Sequence, residues 1–222
     1  MKRRLSTQRI RGLTFVEVLV SIVAVALFAL LAIAIFAKPR VRAGRINCVS
    51  NLKQIGLGFR MWAADQGGQF PWGVSITNGG TLEFAGRPEV FRHYLAITNE
   101  MSSPNVLTCE QDKQRSKAWS WDQLTNDARH ISYFLGLTAD ETRPQTILSG
   151  DRNLTTNGRL ASGLVSVTSN TVLGVAPMLH KDSINVGLAD GSAQQLPSAM
   201  LQRLNGAQFA SSSNQSVLLA IP

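Results

Sequence analysis

One carboxylate stands where lipid chemistry would not tolerate it alone. Glu17 lies near the start of an apolar stretch that runs from Leu13 to Ala37, and the run from Val18 to Ala37 has no charge at all. Placing a carboxylate in a bilayer costs roughly 2.5–3.5 kcal/mol even on lenient insertion scales, so Glu17 needs a partner and is a functional residue by default. The chain has two cysteines, Cys48 and Cys109. Their separation excludes a CxxC metal knuckle or redox pair. Two readings stay open for them: a disulfide formed in an oxidising compartment, or two buried free thiols. His180 with Asp151, Asp182 and Asp190 can be drawn as a metal or acid-base cluster. One histidine and scattered aspartates lack ligand spacing, however; Asp190 is explained by a turn, and Asp151 beside Gly150 reads as a turn or capping residue. No nucleophile elbow, HExxH, P-loop or dinucleotide fingerprint occurs, so no enzyme and no cofactor is expected.

The elements that must position these residues follow from periodicity. Residues 1–12 carry Lys2, Arg3, Arg4, Arg9 and Arg11 and no acid. At 1.5 Å per residue the uncharged run behind them spans about 30 Å as a helix, the thickness of a bilayer core. A secretory signal peptide is the plainer alternative, with weak small-residue signals at Ala32–Ala34 and Ala34–Ala37, but its apolar region should be only about 7–15 residues long. Pro39 predicts a kink near Ala37–Lys38. Beyond it Cys48, Leu52, Ile55, Phe59 and Trp62 step by four, three, four and three, one apolar face of a helix that Gly67-Gly68 ends. Gly44, Gly56 and Gly58 on that helix suggest bending or close backbone approach.

From residue 67 onward short segments alternate with Gly, Pro, Asn and Ser. A helix is expected over Pro88–Ala96. Strands are expected at Val106–Cys109, Ile131–Leu135, Thr146–Leu148, Thr171–Val175, Ile184–Ala189 and Ser216–Ile221. Asp190-Gly191 between 185–189 and 192–196 predicts a β-hairpin with a type I′ turn. Ser198–Leu204 reads as a last helix, and 150–170 and 205–216 read as loops. The fold class is α+β: a long N-terminal helix and a small, mainly antiparallel head. Its parts are a leader (1–12), a transmembrane helix (13–37), an amphipathic stalk (38–66) and a globular head (67–222).

The string Gly12-Leu13-Thr14-Phe15-Val16-Glu17 ahead of the apolar run resembles the class III signal of type IV prepilins and type II secretion pseudopilins. Leu13 and Phe15 exchange the places of the commonest form. The resemblance implies cleavage between Gly12 and Leu13 by prepilin peptidase and N-methylation of Leu13. It also implies that Glu17 pairs with the terminal amine of a neighbouring subunit, which fixes stagger during assembly. Later residues resemble the branch of this family with a His-x9-Asp-Gly motif. They are Cys48, Asn51 to Leu57 and Asp65; Leu107-Thr108-Cys109 with Asp112; Ser132-Tyr133; Gly150 to Asn153; and His180 with Asp190-Gly191. Glu110 and Trp62 depart from residues common there.

The resemblance implies a pilin-like fold with the stalk helix laid on the sheet. Its partners would be prepilin peptidase, other pilin or pseudopilin subunits, an inner-membrane assembly platform and the lipid bilayer. The N-terminus would be cytoplasmic and the head periplasmic, an orientation that nearly balanced flanking charges alone do not decide. Some pseudopilins hold calcium in a carboxylate-rich loop; the spacing here does not favour it. Two rival readings share the anchor: a membrane-anchored periplasmic binding protein that never polymerises, and a periplasmic metal-dependent enzyme built on His180 and the aspartates.

The net charge of +8 raises nucleic acid as a partner, but its distribution answers that. Five basic residues belong to the leader and six to the stalk, while from Met61 onward 13 acids outnumber 11 bases. A basic stalk suits lipid headgroups, and no basic-aromatic stripe for base stacking occurs in the head.

Overall fold

The computed structural model describes residues 14–36, 39–125, 128–210 and 216–222. It divides into two compact units, Met1–Ala43 and Gly44–Pro222. The expected cleavage residues Gly12 and Leu13, and the expected kink at Ala37–Lys38, lie outside the described residues.

In the first unit α1 spans Phe15–Phe36, a single N-terminal apolar helix of the length used by a signal sequence or a single membrane span. Its large side chains from Phe15 to Leu31 are exposed, Phe15 by 81% and Phe28 by 75%. Helix α2, Pro39–Asp65, runs on into the second unit. There Cys48, Leu52, Ile55, Phe59 and Trp62 are all buried, as their period demands, and Ile46, Leu57 and Met61 on other faces are exposed. Gly67 and Gly68 adopt positive φ (66° and 83°), and the Gly68 amide donates to the Ala63 carbonyl at 2.8 Å, closing the helix C-terminus.

A short helix α3, Val90–Leu95, and several 3₁₀ turns lead to the sheets. The strands in chain order are β1 (Tyr133–Gly136), β2 (Ile147–Asp151), β3 (Leu154–Thr156), β4 (Arg159–Leu160), β5 (Gly163–Val167), β6 (Leu173–Val175), β7 (Ser183–Leu188) and β8 (Ala193–Pro197). Helix α4 (Ser198–Ala210) and strand β9 (Val217–Ile221) complete the chain. Six strands form one antiparallel sheet in the order β5-β9-β1-β2-β7-β8, and β4-β3-β6 form a small second sheet. The fold is therefore α+β.

Strand alternation divides the apolar residues into two cores. Tyr133, Leu135, Leu148 and Ala220 pack with the α2 stripe and with Phe70, Trp72 and Tyr94. Phe134, Ile147, Leu219 and Ile221 face the other way and pack with Leu154, Leu173 and Leu201. The central sheet is thus covered on both faces, which is why its inner strands β1 and β9 read as unbroken apolar runs. In the first core the Phe59 ring lies 5.3 Å from Trp72 and 5.9 Å from Tyr94, centroid to centroid. In the second, Gln202 of α4 accepts from the Leu173 amide at 2.7 Å and donates to the Thr171 carbonyl at 3.2 Å.

Four local expectations are corrected. Val106–Cys109 is not a strand: Pro104–Leu107 forms a 3₁₀ turn, because Pro104 sets the first helical φ and the Ser103 hydroxyl accepts from the Asn105 amide. Residues 150–170 are not a loop but carry β3, β4 and all of β5, with Asn157 (φ 49°) and Gly158 (φ 80°) making a two-residue turn of the type I′ kind between β3 and β4. The β7–β8 hairpin exists, but its turn is different. Only Gly191 has positive φ (83°), and its amide closes on the Leu188 carbonyl at 3.0 Å, the pattern of a type I turn followed by a left-handed glycine. Helix α4 also runs past the expected Leu204 into the segment read as a loop.

Candidate functional site

At the start of α1, Thr14 and Glu17 form a reciprocal cap. The Glu17 amide donates to the Thr14 hydroxyl at 3.3 Å, and the Thr14 amide (2.8 Å) and hydroxyl (2.9 Å) donate to Glu17 Oε2. This is a capping box of the T-x-x-E kind, which satisfies orphan amides in the first helical turn. Thr14 was readable as a partner for Glu17 from the spacing alone. Glu17 itself is exposed.

The second cluster is buried beneath α2. Cys48 and Cys109 are joined by a disulfide, with Cα atoms 5.3 Å apart, linking α2 to the turn after Leu107. His180 Nε2 lies 3.4 Å from Cys109 Sγ and 3.4 Å from Asp151 Oδ2. Both cysteines, His180 and Asp151 are buried. Burial pushes the Asp151 carboxyl up to about 8, against the pull of the Asn185 amide, which donates to Oδ2 at 2.7 Å. Burial thus favours the neutral carboxyl, and its contact with His180 is an ion pair only where the histidine is protonated.

Around this cluster the other motif residues are also engaged. Asn51 of α2 donates to the Thr108 carbonyl and to Tyr133 Oη, both at 3.3 Å. Ser132 donates to Asp112 Oδ2 at 2.9 Å, and Arg152 grips the same carboxylate. Asp190 and Gly191 stand at the far end of the β7–β8 hairpin. Asp190 accepts from the Ser192 amide at 2.8 Å through its side chain and from Arg60 of α2 at 2.8 Å through its carbonyl. A Cβ on Gly56 would come within 3.2 Å of Gly191 Cα, so α2 and the turn approach backbone to backbone. The His-x9-Asp-Gly residues thus fasten both ends of β7 and its turn to α2, His180 through Cys109 and Gly191 through Gly56.

Asp182 is exposed, and among the described residues neither it nor Asp190 joins a group of potential metal ligands with His180. The residues that do converge on His180 are the two cysteines, together with Asp151. Of the three aspartates grouped with His180 in the sequence, only Asp151 meets it, and the approach of the two cysteines had no sequence signal because it depends on how the strands pair. Comparison with protein-family models, curated proteins and solved structures finds no match for this chain.

Proposed function

We propose that the chain is a structural subunit of the type IV pilin-like class. In this reading it enters the inner membrane with its N-terminus cytoplasmic, is cut between Gly12 and Leu13, is N-methylated on Leu13, and assembles through its N-terminal helix into a pilus or secretion pseudopilus. The observation that carries the reading is the combination in α1 of an apolar surface exposed from Phe15 to Leu31 with an acid at its start. Exposed apolar area of this extent needs lipid or other helices to cover it. The hydrogen bonds from Thr14 lower the cost of the Glu17 carboxylate without neutralising it. A terminal ammonium from a neighbouring copy supplies the missing charge, and the pairing selects one stagger.

Intact mass of the membrane-extracted protein tests the processing. Loss of residues 1–12 with gain of one methyl group is expected; a retained leader, or cleavage near Ala34–Ala37, overturns it. Glu17→Ala is expected to be processed yet excluded from filaments. A wild-type chain that is processed but never found in a filament would instead favour a non-polymerising anchored head.

A further inference from the structure

Cys48 Sγ, Cys109 Sγ and His180 Nε2 lie within 4.8 Å of one another, the group among the described residues whose cysteine and histidine atoms can share one ion. In a tetrahedral zinc site, with metal–sulfur bonds of about 2.3 Å and metal–nitrogen or –oxygen bonds of about 2.0–2.2 Å, neighbouring ligand atoms sit roughly 3.3–3.8 Å apart. The Cys109–His180 and His180–Asp151 separations, 3.4 Å each, already have that length. Only the two sulfurs are closer, because they are bonded to each other. We propose that reduction of the Cys48–Cys109 disulfide converts this cluster into a zinc-class metal site, with Cys48, Cys109 and His180 as ligands; the Asp151 carboxylate, 3.4 Å from His180 but outside that group, would have to shift to take the fourth corner.

The chemistry balances in two steps. A dithiol reductant gives two electrons and two protons to the disulfide, leaving two protein thiols and the oxidised reductant. The metal ion then displaces the thiol protons to solvent as the thiolates bind, together with any proton on Asp151. Two thiolates and an imidazole select zinc over calcium or magnesium, which prefer oxygen. The surroundings suit an outer shell. The Asn185 amide already holds Asp151 Oδ2, while Asp151 Oδ1, Ser149 Oγ and both side-chain polar atoms of Asn185 are buried without hydrogen-bond partners. Helix α2 would then stay fastened to Cys109 in both redox states, by sulfur–sulfur bonding in one and by metal in the other.

The test uses the full chain in detergent, reduced with a phosphine, exposed to zinc and passed through gel filtration before metal analysis. Equimolar zinc is expected on the reduced chain and none on the oxidised chain. Cobalt in its place is expected to give the intense visible bands of a tetrahedral thiolate complex, and His180→Ala is expected to weaken zinc binding at least about tenfold. Circular dichroism accompanies each sample. If reduction alone loosens the fold, zinc is expected to restore it. A reduced chain that retains no zinc, an octahedral cobalt spectrum, or unchanged affinity in His180→Ala and His180→Gln overturns the proposal.

Discussion

Arg152 holds Asp112 by a two-pronged grip, Nε to Oδ2 at 2.6 Å and Nη2 to Oδ1 at 2.8 Å, with both side chains almost fully buried. Nη2 also reaches Gln114 Oε1 at 2.8 Å. The pair ties the loop after Cys109 to the residue that follows β2. Burial opposes the charge on Asp112, but Arg152, Ser132 and the Gln114 amide outweigh it and hold the carboxyl below its ordinary 3.8.

Removing one partner strands the other charge in the interior. Asp112→Ala is expected to cost about 3–5 kcal/mol in denaturant unfolding, more than a surface ion pair would. The pH dependence has a definite sign. A carboxyl whose folded pKa is depressed contributes stability above its unfolded value, and loses it as pH falls through the folded value. The difference between wild type and Asp112→Asn should therefore shrink below pH 3.8. A constant difference down to the acid limit would show that the ion pair is not its source.

The disulfide closes a loop between residues 61 positions apart. On the chain-entropy account such a loop contributes about 4 kcal/mol. Reduction in the presence of chelator should lower the denaturant midpoint accordingly, and Cys48→Ser, Cys109→Ser should match the reduced wild type. Equal stability of oxidised and reduced chains would mean that contacts such as Asn51–Tyr133 already hold α2 in place.

His93 is fully buried and its Nδ1 shares a 2.7 Å hydrogen bond with Thr81 Oγ1. Burial pushes its pKa down from 6.5 to about 4. For a depressed histidine the folded state binds fewer protons than the unfolded chain, so the stability it contributes is complete above pH 6.5 and is lost as pH falls toward 4. His93→Gln should flatten the decline in melting temperature over that window. An unchanged slope would assign the decline to other groups.

Much of the architecture was legible because it follows from short-range rules. The stripe from Cys48 to Trp62 was visible because five apolar residues repeat at helical spacing, and the hairpin around Asp190-Gly191 because turn residues separate two strand-like runs. Val106–Cys109 misled because its β-forming residues outweigh, on propensity, the Pro104 and Ser103 that start a turn before them. Asn157-Gly158 carried a clear hairpin signal, but β3 and β4 are too short to alternate, and the surrounding Gly and Ser masked them. In the buried cluster the cysteines were legible as a pair of alternatives, and His180 with Asp151 only as part of a looser grouping with Asp182 and Asp190. His180 and Asp151 meet there because β2 and β7 are neighbours, a relation that 28 intervening residues conceal.

The staple also decides how the molecule bears a pull. Tension applied at the N-terminal helix reaches Cys48 and passes through sulfur to Cys109, so the backbone between them carries none of it. About 60 residues, some 200 Å of extended chain, are thereby excluded from stretching. The sheet strands, all of which lie after Cys109, receive the load directly. The oxidised chain is mechanically shorter than its sequence, and the reduced one is not.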